Sequence, residues 1–324
     1  MKAWQIKSYG TNDVFELVEI PDPTPKAGWV TIQIKAFGLN RSELYTRQGH
    51  SGDAVTLPRV LGIECVGEVI DGGETDLQPG QQVAAAMGNM GRLYDGGYAE
   101  MTQVPRSNVF PVKTTLGWEA FGALPETYLT AWGALIEAIN LQKGQSLLVR
   151  GGTSSVGLAA TSIAKDLDCT VFATTRKKEK VDLLKRAGVD HVLLDTGSIE
   201  KDLKAILPEG VDAVIELVGL EHTIKDCLRS TAPKGTVCMV GFLGDSWEYK
   251  FFPWMPSTVK LTMYSSETIA TAYANPVLQK IVDKVASGRY LPNIHQVFSF
   301  ATLPLAMEMM ENNQAAGKLV VRVP

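Results

Sequence analysis

Gln145-Ser146-Leu147-Leu148-Val149-Arg150-Gly151-Gly152-Thr153-Ser154-Ser155-Val156-Gly157 reads as a strand, a tight turn and the first turn of a helix. The apolar run Leu147 to Val149 stops at paired glycines. Ser155-Val156-Gly157-Leu158-Ala159-Ala160 then has the small-residue pattern of a helix lying close on a sheet. A parallel strand that passes into a helix in this way leaves the first helical amides unbonded, and those amides suit a phosphate. The mid-chain position implies a dinucleotide-binding domain that follows a separate N-terminal domain. A glycine turn alone is a weak signal, and the same residues also describe a plain N-capped helix with no ligand. The context favours the first reading. A second strand, Cys169 to Thr175, follows at the expected distance, and Gly219 and Gly241 close later strands where backbone would meet a ligand at the carboxyl edge of the sheet. Ser154 stands where many such turns have glycine. Its Cβ limits how closely backbone approaches a pyrophosphate, while the hydroxyls of Thr153, Ser154 and Ser155 can donate to phosphate oxygens.

Outward from this turn, residues 119–254 alternate between two patterns. Strands are expected near 146–150, 170–175, 191–194, 212–217 and 236–241, and helices near 155–166, 177–187, 198–207 and 221–230. This alternation predicts an α/β domain with a doubly wound parallel sheet. Residues 1–118 read as all-β. Val30 to Ala36 alternates apolar and polar, and turn signals recur at Pro21-Asp22-Pro23, Asp71-Gly72-Gly73 and Asp95-Gly96-Gly97, which suggests a barrel or a sandwich. Residues 255–324 are mixed, with amphipathic helices over Pro276 to Ser287 and Leu303 to Asn313 and a terminal strand over Leu319 to Val323. Such a tail is expected to fold back onto the first domain.

The second strand ends Ala173-Thr174-Thr175-Arg176-Lys177-Lys178-Glu179-Lys180. A site for NAD normally has an acid at the strand end to accept from the ribose 2′-hydroxyl. Here that edge carries cations instead. A 2′-phosphate would meet Arg176 through a planar fork and Lys180, one turn on, as a point charge. One charge-assisted bond is worth about 1.5–3 kcal/mol, so a single contact favours NADPH by roughly tenfold or more. The other reading is a solvated helix start, but cations at a helix N-terminus oppose its dipole. Lys177 and Lys178 are expected to face water.

The 324 residues suffice for two domains, and 45% hydrophobic with 20% charged residues is ordinary for a globular chain. A net charge of −4 with mixed signs gives no case for nucleic acid or an anionic membrane as partner. No apolar run approaches a membrane span and no signal segment is evident at the N-terminus, so a cytoplasmic protein is the expectation. Cys65, Cys169, Cys227 and Cys238 form no paired motif, and the four histidines have no ligand spacing; no metal site is expected.

Over essentially its full length the chain resembles the zinc-independent quinone oxidoreductase (zeta-crystallin-like) branch of the medium-chain dehydrogenase/reductase superfamily. Four segments carry the resemblance: Gly38-Leu39-Asn40-Arg41-Ser42-Glu43-Leu44-Tyr45-Thr46-Arg47-Gln48-Gly49, Pro58 to Gly67, Leu124 to Trp132, and Ala316-Gly317-Lys318-Leu319-Val320. Zinc-dependent relatives have Cys and His where this chain has Asn40 and Ile63. The resemblance implies a GroES-like β-barrel domain over 1–118, completed by 255–324, and an NADP-binding Rossmann domain over 119–254. It implies NADPH as cofactor, a small quinone or enone as hydride acceptor in the interdomain cleft, and a homodimer. It places the diphosphate turn on Thr153, Ser154, Ser155 and Val156, the adenosine phosphate on Thr175, Arg176 and Lys180, and nicotinamide contacts on Thr130, Gly241, Phe242, Leu243 and Asn40. Asp195 stands where relatives often have Tyr or His near the adenosine, which weakens that contact, and Asn313 where some have Arg.

Tyr45 is the candidate for polarising the acceptor or donating a proton, with a strand-edge packing role as the other reading. Arg47 is expected to pair with Glu43 or Glu64. Tyr128, Trp132, Phe242, Trp254 and Tyr264 are candidates for an apolar pocket wall. Two further functions stay open: a non-catalytic NADPH-binding redox sensor or structural protein, and a 2-enoyl thioester reductase.

Overall fold

The computed structural model describes residues 1–244, 251–270 and 274–324. The chain separates into two compact units, one of Met1–Leu129, Ser266–Gly288 and Pro292–Pro324, the other of Thr130–Ser265 and Arg289–Leu291. The candidate phosphate turn lies in the second unit and Tyr45 in the first.

The first unit opens with strands β1 (Lys2–Ile6), β2 (Phe15–Glu19), β3 (Trp29–Gly38), β4 (Arg59–Val60), β5 (Glu64–Asp71), β6 (Gln82–Ala86), β7 (Met101–Pro105) and β8 (Val109–Pro111). The second contributes β9 (Ser146–Arg150), β10 (Thr170–Thr175), β11 (His191–Leu194), β12 (Val211–Glu216), β13 (Thr231–Met239) and β14 (Lys260–Met263). The chain then returns to the first unit with β15 (Ile294–Ser299) and β16 (Lys318–Arg322). In the first unit β2-β1-β4 form a small antiparallel sheet, and β15-β16-β3-β5-β6-β8 a larger one to which β7 adds against β3. Alternation in β3 puts Ile32 and Ile34 into a core shared with Phe37, Val83 and Leu319.

The expectation of an all-β first domain fails at one place. Helix α1 (Arg41–Arg47) follows β3 directly. Glu43, in its first turn, accepts from the Asn40 amide at 2.6 Å, the reciprocal half of a capping box. Tyr45 therefore stands on a helix and not at a strand edge.

The second unit is the expected doubly wound sheet. Its order is β11-β10-β9-β12-β13-β14, and every pair is parallel. The order reverses between β9 and β12, and in open parallel sheets ligands bind outside the carboxyl ends at such a point. Leu147, Leu148 and Val149 of β9 are fully buried, as a central strand covered on both faces requires; each contributes about 1.5–3 kcal/mol. Among the covering helices are α4 (Ser155–Asp166), α5 (Val181–Arg186), α6 (Glu200–Ile206) and α7 (Glu221–Arg229). β13 begins five residues before the expected start. Its ladder with β12 is irregular between Thr231 and Thr236, where Pro233 and Gly235 read as turn residues.

The division in space also differs from the expected boundaries. Trp118–Gly122 (α2) packs on β3 and β5, and the Glu126 amide donates to Glu64 at 2.9 Å, so these residues stay with the first unit. At the other end β14 pairs with β13, so the chain leaves the second sheet only after Met263 and not at residue 254. Among the described residues no helix is long and apolar enough to cross a membrane.

Candidate functional site

The turn after β9 is built from backbone. Gly151 has φ +88°, a left-handed conformation that favours glycine. Its amide donates to Thr174 Oγ1 at 2.9 Å and the Gly152 amide to the Thr174 carbonyl at 3.0 Å, which ties the turn to β10. A Cβ on Gly157 would meet the Gly151 carbonyl at 2.7 Å, so a side chain there would push helix and turn apart. Ser154 is the N-cap of α4. Its Oγ accepts from the Gly157 amide at 3.1 Å and donates to the Gly151 carbonyl at 2.8 Å. The expectation that this hydroxyl donates to a phosphate is thereby corrected, because its only proton already closes the turn. The amides of Ser155 and Val156 have no acceptor among the described residues. Two open amides at the positive end of a twelve-residue helix suit an anion.

At the end of β10 Thr175 is buried, and its Oγ1 accepts from the Lys177 amide at 3.2 Å. Arg176 is exposed and has no acidic partner among the described residues. Lys180 is half-buried; burial, then Lys177 and Arg176, pull its ammonium below the ordinary lysine range, against the opposing pull of Glu179. Crowded cations at a strand end are a donor set that a phosphate fits.

Beyond β12 and β13 the backbone is drawn tight. Val240 and Gly241 donate to the Glu216 carbonyl at 2.8 and 3.0 Å, and Leu243 to the Val218 carbonyl at 2.9 Å. Phe242 and Leu243 are exposed. Thr130 is buried in the helix Pro125–Trp132 (α3). Of the expected pocket aromatics, Tyr128 and Tyr264 are buried core residues, and the Lys225 ammonium covers the Trp254 ring at 3.3 Å.

Three charged residues that sequence reasoning passed over shape this edge. Arg150 is fully buried between Asp195 and Asp226. Asp195 therefore turns inward onto the guanidinium. Glu216 holds the next turn, accepting from Val218 N at 3.1 Å, Gly219 N at 2.7 Å and Thr223 Oγ1 at 3.0 Å. The sequence signal was a charged residue at the end of an apolar strand, at both Arg150 and Glu216.

In the first unit Asn40 belongs to a buried network. Lys318 Nζ donates to Glu64 Oε1 at 2.6 Å and to Asn40 Oδ1 at 2.7 Å, and Asn40 Nδ2 donates to Glu64 Oε1 at 2.9 Å. Lys318 and Glu64 are 1% and 0% exposed in their side chains. Beside them, Glu43 accepts from the Ile63 amide at 2.9 Å and from the Tyr98 hydroxyl. Arg47 pairs with Glu311 at 2.9 Å and donates to the Gly10 carbonyl at 3.2 Å, not with Glu43 or Glu64, whose carboxylates are engaged by Asn40, Ile63 and Tyr98 and by Lys318 respectively. Tyr45 is half-buried, its ring stacked on His50, and its hydroxyl has no partner among the described residues. Asn313 accepts from Arg41 at 2.9 Å.

Burial pushes both Glu43 and Glu216 up to about 7, outweighing the hydrogen bonds that favour their charged forms. Raised from 4.5, each carboxyl adds stability that is full below its unfolded value and is lost as pH rises through about 7. The effect is about 3 kcal/mol for each. Urea unfolding is therefore expected to show lower stability at pH 8 than at pH 5.5, with the slope reduced in Glu216→Gln. A flat profile would contradict the assignment.

Two family profiles match the chain: the alcohol dehydrogenase GroES-like domain over residues 26–114 and the zinc-binding dehydrogenase domain over 155–283. A probable quinone oxidoreductase of Leishmania amazonensis is 29% identical over 283 residues, covering 86% of this chain and 76% of its own. The chain belongs to the quinone oxidoreductase family of medium-chain dehydrogenases/reductases. Its first unit thus contains the GroES-like domain of that family and its second the Rossmann-like sheet. The human synaptic vesicle membrane protein VAT-1 homolog is 26% identical over 350 residues, covering 99% of this chain and 86% of that one. The structure of mycobacterial Rv1454c complexed with NADPH superposes with a TM-score of 0.89 at 25% identity, covering 99% of both chains. Zinc, named in one profile, does not fit the residues here. Ile63 offers only hydrocarbon, the Asn40 carbonyl oxygen is held by an ammonium, and no group of three or more His, Cys, Asp or Glu among the described residues could hold a metal.

Proposed function

We propose that this protein is an NADPH-dependent, zinc-independent oxidoreductase that reduces a quinone or an α,β-unsaturated carbonyl. The observation that carries the reading is the pairing of open amides at Ser155 and Val156 with an end of β10 that runs from Thr175 straight into Arg176-Lys177-Lys178 rather than into an acid. Likeness to a quinone oxidoreductase and to a protein solved with NADPH supports it. When bound, the nicotinamide supplies the hydride. Ser155 and Val156 hold the diphosphate, Arg176 and Lys180 the 2′-phosphate, and the backbone of Gly241 to Leu243 orients the nicotinamide ring. Asn40, held on three sides, keeps α1 in place rather than reacting.

Tyr45 is the residue assigned to the acceptor. Burial, partly offset by Arg41, raises its phenol above the usual tyrosine range, so Oη carries its proton at neutral pH and can donate a hydrogen bond to the acceptor oxygen. A conjugated acceptor spreads its developing charge and needs no metal.

The test follows loss of NADPH absorbance with a small quinone and with a 2-alkenal. Turnover with NADPH and much weaker turnover with NADH is expected, and Tyr45→Phe is expected to lower kcat about 10- to 100-fold with cofactor affinity intact. Tight NADPH binding with no turnover on either acceptor class would favour the redox-sensor reading. Unchanged kcat in Tyr45→Phe would return Tyr45 to a packing role.

A further inference from the structure

Arg150 ends β9 directly before the glycine turn, and it is fully buried. Its Nε donates to Asp195 Oδ2 at 2.5 Å and its Nη2 to Asp195 Oδ1 at 2.9 Å, a two-pronged fork. Its Nη1 donates to Asp226 Oδ2. The two acids differ in their other support. Asp226 also accepts from the Ser198 hydroxyl, from Ile199 N at 2.9 Å and from Glu200 N at 3.3 Å. Besides the fork, Asp195 has only the Gly197 amide, at 3.0 Å, among the described residues.

Asp195 also lies beside the candidate phosphate contact. Its amide donates to the Thr175 carbonyl at 2.8 Å, which sets it next to the residue that precedes Arg176. A carboxylate left loose there would oppose a phosphate dianion through like-charge repulsion. As folded, the Asp195 side chain is only 10% exposed and faces the guanidinium.

We infer that Arg150 is a positioning residue for cofactor selectivity: its fork withdraws the Asp195 carboxylate from the strand end that carries Arg176, so that end stays attractive to a 2′-phosphate. The inference rests on the proposed NADPH reading and deepens it. It assigns selectivity to a residue that touches no part of the cofactor.

A double-variant cycle tests it, read as dissociation constants for NADPH and NADH by calorimetry, with thermal melting to show that each variant is folded. Asp195→Asn alone should leave the ratio of the two constants within about twofold, because the charge it removes is already neutralised. Arg150→Lys keeps the buried positive charge, but a single ammonium cannot fork Asp195 and reach Asp226 together. It should reduce the preference for NADPH about five- to tenfold, and Arg150→Lys with Asp195→Asn should restore it. Arg150→Met should show the same pattern with a larger loss. An unchanged ratio in folded Arg150→Lys overturns the inference, as does an equal loss in the single and combined variants. If Arg176→Ala erases the preference while this cycle stays flat, only the role of Arg150 falls. If the unaltered protein shows no preference for NADPH, the 2′-phosphate contact falls and the inference with it.

Discussion

Lys318→Met is expected to destabilise the protein by about 3–5 kcal/mol, the usual cost of removing one partner of a buried ion pair. Lys318 and Glu64 are both withdrawn from water, and the ammonium is the only counter-charge bonded to the Glu64 carboxylate among the described residues. Without it, the carboxylate retains the Asn40 amide group and the Glu126 backbone amide as its donors among the described residues. Gly38 shows how closely the pair is fitted, since a Cβ there would come within 2.2 Å of Lys318 Cε. Adding Glu64→Gln should recover a large part of the loss, because the stranded charge is then gone. Denaturant midpoints check both expectations. A loss below about 1 kcal/mol in Lys318→Met would mean that the pair is solvated in solution.

Arg176→Ala is expected to weaken NADPH about 10- to 100-fold while NADH changes little, the range for one or two charge-assisted bonds to a phosphate. Arg176→Lys should recover only part, since an ammonium lacks the planar fork. The loss should also shrink at high salt, because the guanidinium is exposed and its field is screened. Equal weakening of both cofactors would place Arg176 outside the 2′-phosphate contact.

The fold was legible where periodicity and turn chemistry agree. The strands over 146–150, 170–175 and 191–194 and the helix over 155–166 lie where the alternation put them. Helix α1 escaped because its seven residues are too few for a visible 3.6-residue period, although Asn40 and Glu43 carry the spacing of a capping box. The early start of β13 was hidden by Pro233 and Gly235. At the site, Ser154 was placed correctly in the turn but its proton was assigned to a ligand. A choice between N-cap and phosphate donor depends on where Gly151 and Gly157 lie in space, which spacing does not reveal. Arg150 and Lys318 form their bonds across large sequence separations, whereas Glu216 bonds within seven residues; each is a charge at the end of a largely apolar strand, which marks a partner but does not name it.

The turn between Gly151 and Gly157 is expected to bind a diphosphate while Arg176 selects the phosphorylated adenosine. Calorimetric titration of the purified protein with NADPH and with NADH tests it most directly. Saturable binding of NADPH at least about tenfold tighter than of NADH is predicted. No heat with either nucleotide, or equal affinity for both, would contradict the account.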